Sequence, residues 1–113
     1  MKLVIPLALL LAACAVARQP LAPAREDDEA QARAAEERSL RLEQELSAPL
    51  AGATPPDCGH VCDLVGQICD LSERICSIAS RHGDDRDLAA RCAAARQRCN
   101  RSRETAKGAC SCH

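Results

Sequence analysis

At 113 residues, with no Phe, Trp or Tyr and an apolar fraction of 47% swollen by alanine, the chain has room for one small domain and little bulk to fill its core. A net charge of −1 and the missing aromatics exclude the basic excess and stacking surface of a nucleic-acid binder. Nine cysteines are the obvious staples for so marginal a core.

The N-terminal stretch MKLVIPLALLLAAC has one base, Lys2, and then an apolar run from Leu3 to Ala13 interrupted only by Pro6. That run is shorter than the roughly 20 residues needed to span a bilayer and has the character of a secretory signal. Leu11-Ala12-Ala13-Cys14 resembles the lipobox of bacterial lipoproteins. The resemblance implies a signal peptide over 1–13, cleavage before Cys14 and a lipid anchor on that cysteine. With Ala15 rather than Asp next in line, it also implies an outer-membrane lipoprotein facing the periplasm or the cell surface. A competing site, Ala15-Val16-Ala17, fits ordinary signal peptidase and would release a soluble protein beginning at Arg18.

Residues 14–25 carry two prolines and no periodicity, which predicts a tether. Residues 26–47 are rich in Ala, Glu, Arg and Leu and predict a charged helix with a thin apolar stripe of Ala32, Ala35, Leu42 and Leu46. Glu29–Arg33 and Glu37–Arg41 are i,i+4 pairs in the favourable order, and the acids at 26–29 suit a helix start. Three prolines and a glycine over 48–56 predict a linker.

The segment 57–113 predicts a helical hairpin. Asp57 can cap a helix running to about Arg81, with Gly83 placed to end it. Asp84 or Asp85 can cap a second helix that runs to about Lys107 and stops at Gly108. Charge is split between segments: residues 26–47 hold eight acids against three arginines, and residues 81–107 hold eight bases against four acids. These are two solvated faces of opposite sign, able to attract one another.

Cysteine recurs every seventh residue at 62, 69 and 76, and again at 92 and 99. At about 100° per residue, seven positions fall about 20° short of two turns, so each set shares one helix face. In an antiparallel hairpin, facing positions have constant sum. Cys76 with Cys92 and Cys69 with Cys99 both give 168. The remaining four predict Cys62–Cys110 and Cys58–Cys112, exchangeable with one another because the helix is expected to end at Gly108. Removing Cys14 leaves eight cysteines, an even set that in an exported small chain reads as a disulfide framework. The expected fold class is therefore all-α: a disulfide-stapled antiparallel hairpin preceded by a signal peptide and a charged helix.

Leu64, Ile68, Leu71, Ile75 and Ile78 widen the apolar arc of the first hairpin helix to about 200°, more than one neighbouring helix covers. Leu64, Leu71 and Ile78 are thus a candidate partner-facing row, open to a protein partner or a second copy. The competing cover is the 26–47 helix through Leu42 and Leu46.

Thiolates can also hold metal. Cys58, His60, Cys62, Cys110, Cys112 and His113 would meet at the open end of the hairpin and could compose a tetrahedral zinc site. Cysteine-lined helices are also similar in theme to the bacterial copper storage proteins, four-helix bundles that bind Cu(I), a resemblance that implies a soft-metal carrier. An oxidising compartment favours bridges over ligands, so the primary expectation is no cofactor and no metal. Cys110-x-Cys112 follows a helix C-terminus, the wrong end of the dipole for a reactive thiolate. No nucleophile–base order or phosphate loop stands out, and no enzyme is expected. The expected role is a small exported, lipid-anchored envelope protein of structural or interaction type.

Overall fold

The computed structural model describes residues 22–112. The signal peptide, Cys14, the alternative cut before Arg18 and the terminal His113 lie outside the described residues. Three helices follow one another: α1 (Ala22–Ala51), α2 (Cys58–Arg81) and α3 (Arg86–Lys107). No helix among the described residues is long and apolar enough to cross a membrane.

The hairpin forms where its caps lie. Asp57 Oδ1 accepts the His60 amide at 3.3 Å, and Asp85 Oδ1 accepts the amides of Asp87 and Leu88 at 3.0 and 3.1 Å. Each thereby satisfies N–H groups that the first helical turn leaves unpaired. The C-terminal ends differ from expectation. α2 closes at His82, whose amide bonds the Ala79 carbonyl, and no glycine takes a positive φ. Gly108 has φ −64° and ψ −23°, so it continues the helical path rather than ending it. The Cys110 amide accordingly reaches the Ala106 carbonyl at 2.7 Å, an α-type i→i−4 bond.

α1 is longer than the 26–47 helix expected. It takes in residues assigned to the tether, and it reaches past 48 into the supposed linker. Pro23 sits in its first turn, where the missing N–H would have had no intrahelical acceptor. Pro49 sits in its last turn, where it forfeits a single bond. The acids at 26–29 consequently fall past the first turn. Glu29 and Arg33 pair at 3.9 Å.

α1 runs antiparallel to α2 and parallel to α3, making an up-down-up bundle. Asp28 meets Arg81 and His82 at one end, Glu36 meets Arg91 in the middle, and Glu43 meets Arg98 and Arg101 further on. Buried positions along α1 are Ala32, Ala35, Ser39, Leu42 and Leu46. Their alternating steps of three and four give the seam of a helix packed lengthwise. The main core joins Leu42 and Leu46 to Val61, Leu64, Val65, Ile68, Leu71 and Ile75. A smaller cluster joins Ala32 to Ile78 and Leu88.

This packing corrects the partner-facing assignment. Leu64, Leu71 and Ile78 are 2%, 7% and 2% exposed. Leu42 lies beside Leu64 and Ala35 beside Leu71, while Ala32 covers Ile78. The wide apolar arc is explained by two covers, α3 on one flank and α1 on the other.

Candidate functional site

The chemistry-bearing residues gather along the α2–α3 seam. Four disulfides cross it: Cys76–Cys92, Cys69–Cys99, Cys58–Cys110 and Cys62–Cys112, with Cα separations of 4.6, 4.7, 5.4 and 5.3 Å. These lie within the range a disulfide requires. Small neighbours permit the approach, since Ala95 and Ala106 are almost fully buried on the facing surface of α3.

The lower two bridges are the exchanged alternative to Cys62–Cys110 and Cys58–Cys112. The physical reason is Gly108. Because the helical path continues to Cys110, the register that gives 168 for the upper pairs also holds for Cys58 and Cys110. Only Cys62–Cys112 departs from it, just where regular structure has ended.

The metal alternative loses its donors in this arrangement. Cys58, Cys62, Cys110 and Cys112 are all spent in bridges. His60 does not join them: two residues before Cys62 it projects about 160° away, beside Arg38, Arg41 and Glu45 on the α1 side. Among the described residues no group of three or more His, Cys, Asp or Glu side chains is placed to hold a metal ion. Cys110 and Cys112 take different partners, so they are not a dithiol pair.

The other described histidine has a structural task. His82 Nε2 lies 2.8 Å from Asp28 Oδ2, and the Arg81 guanidinium donates to the same carboxylate at 3.1 and 3.3 Å. The Arg81 bonds, followed by the His82 contact, hold the Asp28 carboxyl below its usual range. The Asp85 carboxyl is likewise lowered, chiefly by its bond from the Leu88 amide. Arg25 reaches Asp84 and Asp85 at 3.4 and 3.5 Å, closing the ladder over the hairpin turn.

Two features escaped sequence reasoning. Arg98 is buried between α1 and α3, where its Nη1 donates to Ser39 Oγ at 3.4 Å and its Nε faces Glu43 at 3.5 Å. The second is an open groove of about 550 Å³ on the opposite side of the disulfides from α1. Its floor is Cys69–Cys99 and Cys76–Cys92, with Ser72 and Glu73 on the α2 wall and Arg96, Asn100 and Arg103 on the α3 wall. A smaller hollow of about 240 Å³ past Gly66 and Lys107 shares Cys69 and Arg103 with it, so the two form one track along the seam. The signal in sequence was the spacing of Arg96 and Arg103, seven apart and adjoining the cysteine stripe. No family model, curated protein or solved structure matches the chain.

Proposed function

We propose that this small, all-α, disulfide-stapled protein is an exported envelope protein, anchored by lipid on Cys14 in the outer membrane and facing the periplasm or the cell surface. Its role there is structural: a stapled body held outside the cytoplasm, with no catalysis of its own. The observation that carries this reading is that all eight cysteines of the described residues are paired. Cytosolic thiol pools would keep such a set reduced, whereas an exported chain keeps it oxidised. The lipobox-like Leu11-Ala12-Ala13-Cys14 and the apolar run before it supply the route. A single acyl chain binds a membrane only marginally, and the diacylglycerol that a lipobox cysteine receives is the two-chain anchor that holds stably.

The test uses the full chain with its own N-terminus, produced in a Gram-negative host. The expected product partitions with membranes, has a mass that begins at a diacylglyceryl-modified Cys14 and titrates no thiol when denatured. Cys14→Ala should move it to the soluble fraction. A product beginning at Arg18 overturns the anchor, and several free thiols overturn export itself.

A further inference from the structure

α3 sorts its arginines by face. Arg91, Arg98 and Arg101 turn toward α1 and pair with Glu36 and Glu43. Arg96 and Arg103 turn the other way, into the groove, and neither guanidinium has an ion-pair partner among the described residues. Holding the bundle together does not require them. Their roots are about 10 Å apart along the helix, seven residues at about 1.5 Å each. Between and opposite them stand Asn100, Glu73 and Ser72. Ser72 is only 5% exposed and lines the groove.

Gly66 adds an independent observation. It lies mid-helix on the same track, where glycine costs about 1 kcal/mol relative to alanine. No close packing demands it, since a Cβ there would meet nothing within 4 Å. The α2 wall is thus kept low beside the groove at the expense of helix stability.

The geometry points to a binding site for an extended acidic oligosaccharide, laid along the disulfide seam with two of its carboxylates on Arg96 and Arg103 and its hydroxyls on Ser72, Glu73 and Asn100. Widely spaced cations match a chain with acid groups on alternate sugars. The Glu73 carboxylate accepts hydroxyl protons and repels a densely charged strand, which disfavours polyphosphate or nucleic acid. With no aromatic residue in the chain, neutral sugars have no stacking surface. Recognition therefore rests on charge-assisted hydrogen bonds.

Calorimetric titration of the oxidised protein with a hyaluronan hexasaccharide, which bears a carboxylate on every second sugar, tests the site. Saturable binding is expected, weakened by added salt. A neutral chitin hexasaccharide should not bind, and inorganic polyphosphate should bind more weakly. Arg103→Gln and Arg96→Gln should each lose about tenfold in affinity, the size of one charge-assisted contact. Arg86→Gln, an exposed arginine elsewhere on α3, should lose nothing. Gly66→Leu separates folding from binding: its melting temperature should not fall, while affinity for the hexasaccharide drops. No saturable binding, tighter binding of polyphosphate, or unchanged affinity in the arginine and Gly66 variants overturns the proposal.

Discussion

Arg98 is the residue at which the bundle's balance is most exposed. Arg98 is 6% exposed, so its guanidinium gives up most of its hydration, and its Nε has no hydrogen bond of good geometry among the described residues. Ser102 Oγ, one turn on, is also buried without a partner among the described residues. Glu43 supplies the compensating charge at 3.5 Å, and is itself shared with Arg101 at 2.7 Å. Breaking a buried pair from one side costs more than replacing it, because the surviving charge is left unpaired. Glu43→Ala should therefore lower stability by about 2 kcal/mol. Arg98→Met removes the charge together with its need for a partner, and should change stability by less than about 1 kcal/mol. Denaturant unfolding of both variants checks the ordering, and equal losses would show that Arg98 contributes through its bonds rather than tolerating its burial.

At the scale of the element, α1 stands apart because no bridge among the described residues reaches it. It is held by a narrow apolar seam and by charge: Asp28 to Arg81 and His82, Glu36 to Arg91, Glu43 to Arg98 and Arg101. Asp28 titrates below its ordinary value of 3.8. A depressed carboxylate contributes stability that is present above its unfolded value and is lost as pH falls through the folded one. Acid thus weakens the α1 contacts while leaving the arginines charged and the bridges intact. The Asp85 cap, lowered in the same way, weakens with it at the start of α3. Hydrogen-exchange protection factors, corrected for intrinsic rates, should fall first in α1 as pH drops below about 3.8, with the middle of α2 and α3 still protected. Simultaneous loss in all three helices would mean that α1 is no separate unit. Sequence showed part of this arrangement. The two charged segments were visible, and Leu42 and Leu46 stood out as a candidate cover for the row of Leu64, Leu71 and Ile78. The extent of α1 was hidden because Pro23 and Pro49 read as breakers, although terminal turns tolerate them. Its docking was hidden because Ser39 interrupts the stripe and two of the remaining positions are alanines, which look too thin to pack until a close helix is placed against them. The groove arginines were hidden for another reason: on composition they belong to one basic face, and only the angular position of each separates those that meet α1 from those that do not.

For the whole molecule, the disulfides set which state can unfold. The loops they close span sequence separations from 16 to 52 residues, nested one inside the next except where the lower two cross. One bridge closing a loop of about 15 residues stabilises by roughly 3 kcal/mol in the chain-entropy picture, and nested bridges contribute less than their sum. Cys58–Cys110 and Cys62–Cys112 are the pairs that fix how the open end closes, and ordinary peptide mapping cannot tell them from Cys62–Cys110 and Cys58–Cys112. No Lys or Arg separates Cys58 from Cys62, or Cys110 from Cys112, so trypsin leaves each pair on one peptide in either connectivity. Removing a single partner does distinguish them. In Cys58→Ala, a helix running on to Cys110 leaves that thiol free while Cys62–Cys112 stays closed. Alkylation under denaturing, non-reducing conditions, followed by reduction and fragmentation of the C-terminal peptide, should place the label on Cys110. A label on Cys112 would mean that the chain turns away at Gly108 and that the helical register ends there. The groove is affected too, because its lower end is lined by Cys62 and Cys112. With Cys62 bridged to Cys110 instead, Cys112 would no longer be held beside Cys62 there. The position of one alkyl label therefore tests the course of the backbone past Gly108 together with the shape of the track that Arg103 and Gly66 line.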